Sequence, residues 1–121
     1  MNIENAETVL VRVVAARCGM TANMNVFRGE LPPGVTGAAV RFTSGCAAGA
    51  DLAEFSASVT AAFDEPAEAR SFADALWGNL PVCNTSGFTR IAAATDAEGK
   101  IRFAFAEGKF TVAGGLTVAF Y

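Results

Sequence analysis

Histidine is missing from all 121 residues, and with it the commonest general base, the usual activator of a Ser or Cys nucleophile and the commonest metal ligand. Charge is scarce as well: 17% of residues are Asp, Glu, Lys or Arg, against about 25% in ordinary globular domains. A chain with 52% apolar residues and a mean hydropathy of +0.35 has little polar cover for a monomer surface. That shortage favours surface buried in an assembly over a monomer rich in Ala and Gly. Lys and Arg nowhere cluster, and nine bases against twelve acids leave a net charge of −3. Both facts disfavour sequence-specific nucleic-acid binding and adhesion to anionic membranes. No apolar run reaches the ~18 residues that span a bilayer, and Glu4 and Glu7 stand where a secretory signal would carry positive charge. A soluble protein made in the cytoplasm is expected. The cysteines, Cys18, Cys46 and Cys83, are odd in number and lack CxxC spacing, which argues against a disulfide framework or zinc cage and for buried free thiols.

What is present reads as alternating secondary structure. Residues 3–18 place Ile3, Ala6, Leu10, Val13, Val14 and Arg17 at spacings of three and four, an apolar helical face that Gly19 stops. A short extended piece covers Asn25 to Arg28. Leu31-Pro32-Pro33-Gly34 must then turn, because the prolines lack amide donors and disfavour helix before them. Ala38, Val40 and Phe42 alternate with polar or small residues as a half-buried strand, and SGCAAGAD reads as a flexible connection. The clearest strand is AEFSASVTAAF, with Ala53, Phe55, Ala57, Val59, Ala61 and Phe63 on one face.

Asp64-Glu65-Pro66 opens a second helix, the acids suited to capping, and Ala69, Phe72, Ala73, Leu76, Trp77 and Leu80 form its apolar stripe. Trp77 belongs in the core, with a contact across a subunit boundary as the alternative. The last third holds an echo, AEGKIRFAF and AEGKFTVAG, each a polar turn before alternating apolar residues, and Gly114-Gly115 allows a bend before Leu116, Val118 and Phe120. The expected fold is α+β: one mainly antiparallel sheet with two helices on one face, in the order α-β-β-β-α-β-β-β, a single domain over 1–121.

Candidate chemistry is thin. The pairs Asp51 with Glu54 and Asp64 with Glu65 are explained by loop solvation and helix capping. Gly99-Lys100 and Gly108-Lys109 lack the upstream glycine and following Ser or Thr of a phosphate loop. The GxxxG spacing in GCAAGAD has no membrane helix to sit in. No catalytic, cofactor-binding or metal-ligating residue is expected, and no enzymatic role.

The succession of an N-terminal helix, FRGELPPG, the strand AAVRFTSG and the strand-to-helix run EFSASVTAAFDEPAEARSFADALWGNLPV resembles the bacteriophage minor capsid and tail-terminator (tail-completion) proteins. The phrase Glu54 to Val59 and the stop Leu76-Trp77-Gly78-Asn79-Leu80-Pro81 carry that likeness, while GGLTVAFY makes a longer C-terminal strand group than the pattern. The resemblance implies a structural virion protein, made in the bacterial host cytoplasm and lodged in the tail or neck. There it would cap the tail tube as a ring of itself, commonly a hexamer in that family, in contact with the tail tube protein and the head-tail connector. It makes Gly29, Glu30, Leu31, Pro32 and Pro33 an architectural turn. It places Gly45, Gly49, Asp51, Glu107 and Lys109, in the SGCAAGAD connection and the AEGK turn, as candidate interface. The alternatives are a small α+β binding module or accessory subunit, with a pocket between the second helix and the sheet, and another neck or head-completion protein.

Overall fold

A computed structural model describes residues 2–47, 51–94 and 100–121, with side chains omitted at Cys46 and Ala47. Along the chain run α1 (Ile3–Cys18), β1 (Val26–Arg28), β2 (Gly37–Ala47), β3 (Ala53–Phe63), α2 (Pro66–Trp77), β4 (Val82–Thr85), β5 (Phe88–Ala93), β6 (Arg102–Ala106) and β7 (Lys109–Phe120). The strands form one sheet in the order β1-β2-β3-β7-β5-β4, with β6 also joined to β7. Every pairing is antiparallel except β1 with β2. The fold is thus α+β, with both helices on one face.

That face follows from strand periodicity. The register sets Val40 beside Val59, and Val59 beside Gly114, so alternate residues of β2, β3 and β7 point to the same side. Ala57, Val59, Ala61, Val112, Leu116 and Val118 are buried there against Leu10 and Val14 of α1 and Phe72, Leu76 and Trp77 of α2. The other side of β3 carries Glu54, Ser56, Ser58 and Thr60, and neither helix covers it.

The helix ends are specified locally. Asn2 accepts a hydrogen bond from the Asn5 amide at 2.8 Å, and Gly19 adopts φ 66°, which releases the chain from α1. The buried stripe of α1 is Ala6, Leu10, Val11, Val14 and Ala15. It is thus rotated from the expected one: Ile3, in the first turn, is 56% exposed, while Val11 and Ala15 turn inward. Arg17 reaches across instead, donating from Nε (3.2 Å) and Nη2 (3.0 Å) to the Leu76 carbonyl at the end of α2. Glu65 occupies the cap position of α2 without a side-chain cap bond, and Pro66 starts the first turn. The expected capping acids are used otherwise, since Asp64 pairs with Lys109.

Three further local expectations are corrected and one unforeseen element is added. Of the expected flexible connection SGCAAGAD, Ser44 to Ala47 are instead the end of β2, paired residue by residue with Ser56, Phe55, Glu54 and Ala53, and residues 48–50 lie outside the described residues. Gly114-Gly115 makes no bend: β7 runs through both residues without a shift of register against β3. A Cβ on Gly114 would lie 2.6 Å from Cζ2 of Trp77, so the glycine lets the indole lie on the strand. The indole Nε1 then donates to the Gly115 carbonyl at 3.0 Å. Leu80 lies past α2, which ends at Trp77. Finally, residues 82–93 form a hairpin, β4 with β5, that alternation did not announce.

Candidate interaction surfaces

The residues 29–34 behave as a built turn. The Gly29 amide donates to Val40 O at 2.8 Å and the Val35 amide to Pro32 O at 3.2 Å, with Gly29 and Gly34 at φ 97° and 74°. Glu30 forms an exposed ion pair with Arg41 at 3.5 Å. Together with Leu31 it walls a cleft of about 440 Å³ over Thr60 and Thr111, on the side of the sheet away from the helices.

The same edge is held by Glu7. β1 reaches only to Arg28, opposite Val40, so beyond it the β2 edge on that side, where the Phe42 amide points, has no neighbouring strand. Glu7 fills that place, accepting from the Phe42 amide at 2.7 Å through Oε2 and from Arg28 through Oε1. The paired carboxylate raises the Arg28 guanidinium pKa above its usual range, chiefly through that hydrogen bond.

The five candidate interface residues do not form one patch. Gly45 pairs with Phe55 near the β2–β3 turn, and Asp51 is exposed close by. Glu107 and Lys109 belong to the β6–β7 turn at the opposite end of β7, roughly 35 Å away along the strand. Gly49 lies outside the described residues. A Cβ on Gly45 would sit 2.3 Å from the Phe55 ring, so an aromatic roof explains this glycine. That ring belongs to a ladder, Phe42–Phe55–Phe120–Phe88, with centroids 4.9, 5.7 and 5.9 Å apart. Lys109 is engaged internally, its Nζ donating to Thr36 Oγ1 at 3.2 Å and to Asp64. Glu107 is exposed at the tip of a two-residue turn with Gly108, both at positive φ (53° and 78°).

The surface that residue-by-residue reading missed is β6. Its core-side residues Phe103 and Phe105 follow Val112 and Phe110 in register, on the face that the helices cover elsewhere. Yet they are 54% and 64% exposed, and Ile101 beside them 41%. Phe105 leans on Phe110 at 4.8 Å. A cavity of about 230 Å³ separates Phe103 from Pro66, Ala69 and Arg70 of α2. Two helical stripes must roof seven strands, and β6 lies beyond their reach. That excess of apolar strand face over helix was the signal available in the sequence. Among the described residues β6 pairs only with β7, so its second edge is open.

Groups suited to acid-base or metal chemistry do not converge among the described residues. Among those residues no polar or charged side chain is buried, and no trio of Cys, Asp and Glu is placed to hold a metal ion. Cys18 points at the Phe72 carbonyl, 3.9 Å away, and borders a cavity of about 410 Å³ with Met20, Phe63, Glu68 and Ser71. Burial pushes its thiol pKa to about 11, outweighing the opposite pull of Arg17, so it is a poor nucleophile at neutral pH. Cys83 is exposed on β4, contrary to the expectation that the thiols are buried. No described helix is long and apolar enough to cross a membrane. No protein-family model matches the chain, and no curated protein matches it.

Proposed function

We propose that the chain is a structural virion subunit, assembling into a closed ring that caps a bacteriophage tail tube at the head-tail junction. The observation that carries this reading is β6, an open sheet edge whose Phe103 and Phe105 lie on the core side without a roof. Such a surface is unfavourable in water and is satisfied by another protein. The low charge content agrees with buried subunit surface, and the net charge of −3 suits a conduit that DNA crosses without sticking. Ring assembly is heterologous: each copy offers one surface to the copy ahead and a different one to the copy behind. The open edge of β6 supplies one of these, and the two ends of the sheet, with Gly45 and Asp51 at one and Glu107 and Lys109 at the other, face the tube protein and the connector.

Electron microscopy of the protein mixed with purified tail tubes tests this. Rings seated on one end of each tube are the expected result. Bare tube ends, with a mass by light scattering that ignores the tubes, would overturn it. Density at the connector alone would move the protein to another neck or head-completion position. The cavity beside Cys18, with apolar Met20, Phe63 and Phe72 and polar Glu68 and Ser71, favours a second reading as a small-ligand binding module. A thermal shift with small apolar ligands, abolished by Ser71→Trp, would support that one.

A further inference from the structure

The open edge of β6 has a definite hydrogen-bonding phase. The two-residue turn at Glu107-Gly108 makes Ala106 and Lys109 a hydrogen-bonded pair, and Ala104 with Thr111 repeats it two residues on. The Thr111 hydroxyl donating to Ala104 O at 3.2 Å places that carbonyl toward β7. Alternation therefore turns the backbone N–H and C=O of Phe103 and Phe105 outward, away from β7.

We infer that β6 pairs antiparallel with β6 of a second copy, forming a two-fold dimer centred on Ala104. Only antiparallel pairing about Ala104 sets Phe103 opposite Phe105 of the second copy, so that both outward-facing residues exchange their N–H···O bonds across the axis. The same register stacks the two phenyl pairs on one face, beside the cavity edged by Pro66, Ala69 and Arg70. Charge then agrees: the acidic end of the strand, at Glu107, meets the basic end, at Lys100, of the other chain, and both residues are exposed. A parallel arrangement would set like charges side by side. An isologous contact of this kind closes on itself and does not propagate. The dimer is thus a stored form that hides the edge, and a ring using β6 must open it. This pairing stands whether or not the chain caps tail tubes.

Sedimentation and engineered cross-linking test it. The wild-type chain should run at twice its 12.5 kDa mass. Phe103→Lys with Phe105→Lys should run at the single-chain mass, with the Trp77 emission of the folded protein unchanged. On a background with Cys46 and Cys83 replaced by serine, Ala104→Cys sits on the axis. Its Cα atoms lie about 4.5 Å apart, within disulfide range. Ala106→Cys lies about 13 Å from its counterpart. Ala104→Cys should therefore oxidise to a covalent dimer at least about tenfold faster than Ala106→Cys. Glu107→Lys should weaken the dimer, and adding Lys100→Glu should restore it. A single-chain mass for the wild type, equal cross-linking at positions 104 and 106, or a charge swap without rescue would each overturn the inference. None of these outcomes bears on tube capping.

Discussion

Gly114→Ala isolates the contact that fixes α2 to the sheet. The new methyl carbon would stand 2.6 Å from Cζ2 and 3.1 Å from Cε2 and Cη2 of Trp77. Ordinary carbon contacts need about 3.5 Å or more, so the indole must withdraw by nearly 1 Å. It has little freedom to do so, being 7% exposed, edge-on to Phe72 at 6.2 Å and bonded to the Gly115 carbonyl. Overpacking costs about 1–3 kcal/mol and a stretched or broken buried hydrogen bond about 1 kcal/mol more. The reduced entropy of the unfolded chain returns roughly 0.5–1 kcal/mol. A net loss of about 2–3 kcal/mol is expected, a large share of the 5–15 kcal/mol typical of a domain. Trp77 is the chain's one tryptophan and reports its own environment. Urea unfolding followed by its emission should show a midpoint lower by ~1 M or more with an unchanged slope. On a Trp77→Phe background, followed by circular dichroism, the same substitution should be nearly neutral. A loss below about 0.5 kcal/mol in the Trp77 protein would refute the steric account, as would an equal loss without the indole.

Glu7→Ala should destabilise the fold by about 1–3 kcal/mol, because the Phe42 amide loses its acceptor; Glu7→Gln, which keeps an acceptor, should cost less in the same urea titration. Arg17→Ala should cost about 1–2 kcal/mol through the freed Leu76 carbonyl, with Arg17→Lys recovering part of it. At one pH, Cys18 should alkylate about a hundredfold more slowly than a thiol at the ordinary value of 9.0, and exposed Cys83 should react first, as peptide mass mapping would show. The Cys18 shift also gives stability a pH dependence: folding favours the neutral thiol, so its contribution is whole below pH 9 and falls as pH rises from 9 toward 11. Urea midpoints across that range should decline less steeply in Cys18→Ala.

Strict periodicity made much of this fold legible. The alternation in 53–63, the stop at Gly19 and the proline entry at Pro66 each fix an element through local chemistry, and each lies where the residues place it. The β4–β5 hairpin escaped because Asn84 and Ser86 take positive φ around a turn whose flanks, VCNT and FTRI, carry no clean alternation. Gly45 and Gly114 read as flexible or bending residues from composition alone. Their actual cause is a ring, Phe55 across the β2–β3 pair for Gly45 and Trp77 of the remote α2 for Gly114, and nothing in the neighbouring residues announces either contact. Lys109 and Glu7 look like ordinary surface charges for the same reason, since their partners lie 45 and 35 residues away. The apolar face of β6 was visible as Ile101, Phe103 and Phe105, but its exposure depends on how far the first turns of α2 reach across the sheet.

β7 is the spine of the sheet, bonded to β3 along one side and shared between β6 and β5 on the other, yet every strand it joins precedes it in the chain. During synthesis the β2–β3 hairpin and the β4–β5 hairpin therefore wait beside one another with no common neighbour. Only when residues 109–120 leave the ribosome can the two halves be zipped together. A stalled or shortened product that lacks this stretch would carry two orphan hairpins, a ready substrate for chaperones and proteases.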